Sequence, residues 1–298
     1  MCRTIGIHRA ERRNKMSRTI FVTGASGNLG REVVKALLTK DVAVKAGTRD
    51  TSRIQQAENL QAVLFDYTDP ATFTDALDGI RGVFLVAPPM DPEAPAKLVP
   101  FIEKAKAAGI EHIVFNSALG VDQVEQAPLR IVERALMESG LGYTILRPNF
   151  FMENFSTGFI APMIKHQNAI FLAAGDGKTS FISTRDIADV GVKAFTDGLY
   201  GQEYNLTGPE ALDHTQVARK IGEVIGKQIT YHALDEETML QGARDLGMPE
   251  GAVQYMAILY GAVRAGYTAA VTEDVENVTG RKSVTFDEFV EENTGCWR

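Results

Sequence analysis

Two cysteines, Cys2 and Cys296, are all that the 298 residues hold, one near each end. A pair so placed excludes a disulfide framework and a CxxC metal site. It suits a reducing compartment, and a cytoplasmic location is expected. Long apolar runs are missing too. None approaches the roughly 18 residues of a bilayer span, so no membrane role is expected. Cationic charge is short: 31 Lys and Arg face 38 Asp and Glu, a formal charge of −7. Nucleic acid and anionic membranes select for clustered Lys and Arg, so neither is expected as a partner. The five histidines, His8, His112, His166, His214 and His232, show no metal-ligand spacing, and no metal is expected. A small-molecule or protein partner is left.

What is present is a globular composition, 45% hydrophobic and 23% charged. The opening "MCRTIGIHRAERRNK" is basic and lacks the apolar core of a secretory signal. With no serine it also makes a poor transit peptide. Residues 1–15 read as a disordered extension or an upstream start.

From Met16 onward short strands alternate with helices. "RTIFVTG" is a first strand, and "NLGREVVKALLTK" follows with Leu29, Val33, Val34, Leu37 and Leu38 at helical spacing. "VAVKAGTR", "AVLFDYTD", "GVFLVAPP", "HIVFNSA" and "GYTILRP" continue the strands, with helical segments between most of them. The expected fold class is α/β: a Rossmann-type doubly wound parallel sheet with a smaller, mainly helical C-terminal substrate lobe. The nucleotide domain is expected over residues 16–150, with 181–206 returning to it, and the substrate lobe over 151–298. "DIADVGVKAF" reads as a helix with Asp186 as its N-cap.

"TGASGNLG" sets Gly24, Gly27 and Gly30 between the first strand and the first helix. The first glycine permits the tight turn, the second lets backbone approach a pyrophosphate, and the third allows close helix–strand packing. Gly24, Ala25, Ser26, Gly27, Asn28 and Leu29 are therefore expected to hold a dinucleotide. At the end of the second strand, an NAD-selective site places an acid for the ribose hydroxyls. Here the chain reads Thr48, Arg49, Asp50, and Arg49 can fork onto a 2′-phosphate unless it pairs locally with Asp50. NADP(H) is expected in preference to NAD(H). Asp66 and Tyr67 would sit beside the adenine, or Asp66 would merely shape a turn.

These stretches, with "NSALGV", "SGLGYTILRPNFFMENF", "FISTRDIADVG", "YNLTGPEAL" and "TGRKSVTFDEF", resemble the atypical short-chain dehydrogenases of the NmrA-like type. Among these the chain looks most like bacterial quinone, triphenylmethane and azo-dye reductases. The resemblance implies that Gly24 to Leu29 and Arg49 hold NADP(H), and that Ala87, Pro88 and Pro89 border the adenosine half. It also implies that Asn116, Ser117 and Ala118, with Pro148, Asn149 and Phe150, border the nicotinamide.

Typical short-chain dehydrogenases use Ser, Tyr and Lys. Matching that pattern puts Ser117 at the Ser position, Leu129 at the Tyr and Glu133 at the Lys, so the acid is missing. Many relatives carry His and Glu at the last two positions, and this chain departs at the first. On a helical wheel Leu129, Val132, Ala135 and Leu136 form the buried stripe, Arg130, Arg134 and Glu138 face water, and Glu133 sits on the boundary. Glu133 and Ser117 are the candidate catalytic residues, each with a plainer reading: a solvated carboxylate and a backbone cap. Phe151, Met152, Phe155, Tyr255 and Tyr260 are candidates for a pocket that takes a flat aromatic guest, with lobe core as the alternative.

The expected activity is hydride transfer from NADPH to a quinone-like or other conjugated aromatic acceptor without a Tyr–Lys acid. A redox-sensing regulator with no turnover and a biosynthetic imine or enone reductase are the alternatives. The reading permits a homodimer.

Overall fold

The computed structural model describes residues 19–298. Residues 1–15 and Cys2 lie outside the described residues. In chain order the strands are β1 (Ile20–Val22), β2 (Val44–Thr48), β3 (Leu60–Leu64), β4 (Gly82–Val86), β5 (His112–Asn116), β6 (Gly142–Pro148), β7 (Ala169–Leu172), β8 (Gln202–Leu206) and β9 (Thr230–Ala233). Seven form one sheet in the order β3-β2-β1-β4-β5-β6-β8, paired in parallel throughout. The chain starts in the middle, winds outward to β3, and returns to build the other half from β4. The crevice at that reversal, beyond the carboxyl ends of β1 and β4, is where such sheets bind ligands.

Alternation along each strand feeds two cores. Ile20 and Val22 of β1 face α1 (Asn28–Thr39), while Phe21 faces the opposite layer. That layer holds α2 (Phe73–Leu77), α3 (Ala94–Ala107) and α4 (Pro128–Glu138), with Phe73, Leu98, Phe101, Val132 and Leu136 turned inward. On the first face α1 packs against α6 (Thr184–Asp197) through Val33, Leu37, Ile187 and Val190. α6 is capped by Ser183, whose side chain accepts from the Arg185 N–H. Asp186 is therefore not the N-cap: it lies inside the first turn, fully buried, and accepts from Arg281 and the Val284 N–H.

The second lobe gathers α5 (Ala161–Gln167), α7 (His214–Ile225), α8 (Glu236–Asp245), α9 (Glu250–Arg264) and α11 (Phe286–Glu292) around the parallel pair β7–β9. Phe155, Phe181, Phe286 and Trp297 fill its centre, and the Trp297 indole N–H donates to the Phe155 carbonyl at 2.6 Å. α10 (Asp274–Thr279) leaves this lobe and buries Val275 against the α1–α6 layer. The two lobes are thus tied at their far ends as well as at the β6 junction. No helix among the described residues is long and apolar enough to cross a membrane.

Candidate dinucleotide and acceptor site

The turn after β1 is closed by backbone alone. Gly24 adopts φ +60°, and the Gly27 N–H donates to the Gly24 carbonyl at 2.9 Å. A Cβ on Gly30 would lie 2.2 Å from that same carbonyl oxygen, so only glycine lets α1 start this close to the strand end. α1 begins at Gly27 with no side-chain cap and no acidic residue in its first turn. Its first N–H groups therefore face outward with their partial positive charge uncancelled, which is what a pyrophosphate needs. Ala25 and Leu29 are buried beneath the turn, while Ser26 reaches the end of β2, accepting from the Thr48 hydroxyl at 3.3 Å.

Beside it, Arg49 is exposed and has no ion pair among the described residues. The local partner considered from sequence is spent elsewhere: Asp50 accepts from the Ser52 N–H at 3.0 Å and the Ser52 hydroxyl at 2.6 Å. Those bonds hold its carboxyl below the usual carboxylate range. Asp66 behaves likewise, accepting at 2.8 Å from both the N–H and the hydroxyl of Thr68, so its side chain shapes the turn. Tyr67 is turned inward. Its hydroxyl donates to the Val86 carbonyl at 2.8 Å and lies 2.9 Å from the Thr23 hydroxyl, and burial pushes its pKa up. Tyr67 thus braces the ends of β1 and β4 through its hydroxyl.

Ala87, Pro88 and Pro89 leave β4 half-buried or exposed, and the next residues cross to the second lobe. Met90 packs on that lobe's core, and a Cβ on Gly251 of α9 would lie 3.0 Å from Pro92 Cγ. At the end of β5, Asn116 and Ser117 are 8% and 4% exposed, and neither Asn116 Oδ1 nor Ser117 Oγ has a hydrogen-bond partner. The plainer expectation for Ser117, a backbone cap, is thereby corrected. Two adjacent orphaned oxygens at a strand end fit a ligand carrying donors, as a carboxamide or a ribose does.

At the end of β6, Pro148 and Asn149 are buried. The Asn149 amide donates to Ser180 Oγ at 2.8 Å and the Thr268 carbonyl at 2.7 Å, and its oxygen accepts from the Phe150 N–H. Its side chain fastens the lobe junction, leaving backbone and the half-buried Phe150 ring to border the site.

Glu133 corrects the helical wheel. It is fully buried, neither boundary nor solvated. Leu146 of β6 faces the α1–α6 layer, so Arg147 faces α4, and its guanidinium meets Glu133 side-on: Nε–Oε1 2.9 Å and Nη2–Oε2 2.8 Å. Arg130 adds Nη1–Oε2 at 2.9 Å and reaches Glu125, while Glu203 closes onto Arg147 from β8. Burial alone would lower the Arg147 pKa; the bonds and charge of Glu133, with those of Glu203, reverse this and hold it above its ordinary value. Arg130 therefore does not simply face water, its side chain being 11% exposed. With three guanidinium N–H groups on its two oxygens and no exposure to solvent, this carboxylate is a structural ion-pair partner rather than an open base. Arg147 is the residue that the motif comparison passed over. A lone arginine in the apolar run "TILRP" is the signal, since buried arginine is rare unless paired.

The aromatic candidates divide. Met152 and Phe155 are 1% and 0% exposed inside the second lobe, Phe155 edge-on to Phe181 and Phe286, so they are lobe core rather than pocket wall. Phe151 is half-buried against the sheet-side core. Tyr260 is buried on the Val253–Met256–Val263 stripe of α9 and meets Phe150 with ring centroids 6.1 Å apart. Tyr255 is half-buried on the flank of that helix, and among the described residues its hydroxyl has no hydrogen-bond partner.

A glycine turn with open N–H groups at the switch point of a parallel sheet, with unpaired polar atoms two strands away, is the architecture of a dinucleotide-binding protein of the Rossmann class. A profile of NAD(P)H-binding proteins matches residues 24–198. The NAD(P)H azoreductase of Xenophilus azovorans is 33% identical over 287 residues, covering 93% of this chain and 99% of that protein. Prestalk A differentiation protein A of Dictyostelium discoideum is 34% identical over 284 residues, covering 93% and 92%. Among solved structures, the Escherichia coli NADPH-dependent quinone oxidoreductase in complex with NADPH superposes with a TM-score of 0.79 at 28% identity, covering 92% of this chain and 99% of that one. The chain belongs to the NAD(P)H-binding, NmrA-like family, and it is an NAD(P)H-dependent reductase.

Proposed function

We propose that this reductase prefers NADPH to NADH and delivers hydride to a quinone-like or other conjugated aromatic acceptor. The observation that carries the reading is Glu133. Where a Tyr–Lys acid pair would stand, α4 has the half-buried apolar Leu129 and a carboxylate already closed by Arg147 and Arg130. Reducing an isolated ketone concentrates charge on one oxygen and relies on a placed acid, a factor on the order of 10²–10⁴. A quinone, an azo tautomer or a cationic dye spreads the arriving electron pair, and catalysis then rests mainly on orientation, worth ~7–11 kcal/mol at best. The names of two relatives, an azoreductase and a quinone oxidoreductase, point the same way.

In this reading the Gly24–Leu29 turn holds the pyrophosphate, Arg49 takes the 2′-phosphate, and Asn116 Oδ1 and Ser117 Oγ bind donors near the nicotinamide. The bound nucleotide supplies the hydride; the protein aligns it, excludes water and positions the ring of Phe150. The test is NADPH oxidation under anaerobic conditions with a panel of quinones, azo dyes and triarylmethane dyes. Steady turnover with at least one is expected, and none at micromolar enzyme overturns the reading. Arg49→Ala should weaken NADPH about tenfold or more while sparing NADH. Equal weakening of both contradicts the 2′-phosphate contact.

A further inference from the structure

α9 packs in the second lobe and touches two segments that leave the sheet. Near its start, Gly251 lies against Pro92, on the segment that follows β4. Near its end, Tyr260 meets Phe150, on the segment that follows β6. In the sheet, β5 lies between β4 and β6. Between the two strands that these segments leave stands the carboxyl end of β5, where Asn116 Oδ1 and Ser117 Oγ are buried without partners. One turn on from Gly251 stands Tyr255, and its flank, with Ala252, Leu259 and Ala262, is half-buried rather than packed into the lobe core. That flank is apolar apart from one group, the phenol. A half-buried hydroxyl without a protein partner, on a helix that touches the segments leaving β4 and β6, is available to a ligand.

Resting on the reductase reading above, we propose that Tyr255 contacts the acceptor and donates its hydroxyl hydrogen bond to an acceptor oxygen, replacing from the second lobe the acid that α4 lacks. For a quinone the balance is simple. The acceptor takes hydride with its electron pair from the reduced nicotinamide and one proton at oxygen from Tyr255; solvent returns a proton to the phenol. Burial pushes the Tyr255 pKa up, so the donor form persists through neutral pH. The site then distinguishes acceptors: one with a carbonyl oxygen gains from the phenol, and a cationic dye with no such oxygen does not.

Tyr255→Phe keeps the ring and removes only the donor. Expected is a roughly tenfold or greater fall in kcat/KM for a naphthoquinone, with unchanged reduction of a cationic triarylmethane dye and unchanged NADPH affinity. Equal losses for quinone and dye, or no loss for either, overturn the role of Tyr255 while leaving the reductase reading intact. A binding measurement needs no turnover. With oxidised NADP bound no hydride is available, and 1-tetralone should bind Tyr255→Phe several-fold more weakly than wild type, whereas tetralin, which lacks the oxygen, should bind both alike. Identical tetralone affinities overturn the proposal. Wild-type enzyme that reduces nothing but shows the tetralone difference overturns the reductase reading and sustains the contact.

Discussion

The carboxyl end of β5 and the inner face of α4 are close in the fold and treat buried polar atoms in opposite ways. At β5, Asn116 Oδ1 and Ser117 Oγ are buried with nothing to bond. At α4, the Glu133 carboxylate is buried with every oxygen engaged, by Arg147 and Arg130. An unpaired buried polar atom costs about 1–3 kcal/mol, a cost that a bound ligand can offset at a strand end such as that of β5. A buried ion pair bonded on both oxygens holds strand and helix in register and is turned away from solvent. The motif comparison made Glu133 and Ser117 equal candidates; satisfaction of their polar atoms separates them.

The largest effect should come from breaking the saturated region. Glu133→Ala removes the fully buried partner of Arg147 and leaves it Glu203 and, at 3.9 Å, Asp122; a loss of about 3 kcal/mol is expected in denaturant unfolding. A loss below 1 kcal/mol would mean that the cluster is already solvated and the contrast false.

The same contrast divides two buried histidines. His112 is paired through Nε2 with the Thr144 hydroxyl at 2.8 Å and packed on Phe195 and Tyr200, whereas His214 has an unpartnered Nδ1 among Phe155, Phe181 and Tyr231. Burial lowers both from 6.5 to about 4. Between those values the unfolded chain binds protons that the folded chain refuses. Their contribution is complete above pH 6.5 and is lost as pH falls toward 4, by about 2–3 kcal/mol for each histidine at pH 4.5. Thermal midpoints flat from pH 7 to 4.5 would contradict that burial.

The smallest effect tests the unsatisfied region itself. Ser117→Ala should raise the stability of the ligand-free protein by up to about 1 kcal/mol, since it deletes an orphaned hydroxyl, and should weaken NADPH. Reduced stability with unchanged affinity would show that the hydroxyl serves the fold and no ligand.

Much of this was legible in the chain. Strand alternation in "RTIFVTG" to "GYTILRP" and the spacing of Gly24, Gly27 and Gly30 are local patterns, and local patterns survive without knowledge of the neighbours. The misreadings were of a different kind. A helical wheel puts Glu133 at the helix boundary because it sees only its own helix, and Arg147 comes from β6. Met152 and Phe155 look like pocket residues by type, and only the packing of Phe181, Phe286 and Trp297 around them makes them core. Asp186 and Ser183 are both good caps by composition, and the contact with Arg281 and Val284, far along the chain, decides between them.

By itself the sequence determined the doubly wound sheet, the glycine turn after its first strand and the absence of a Tyr–Lys pair, because each follows from periodicity or residue type at fixed spacing. Tertiary structure alone decided which polar groups are saturated and which are left open. Whether a buried oxygen finds a donor depends on residues from other strands and helices, and no spacing within one segment records that.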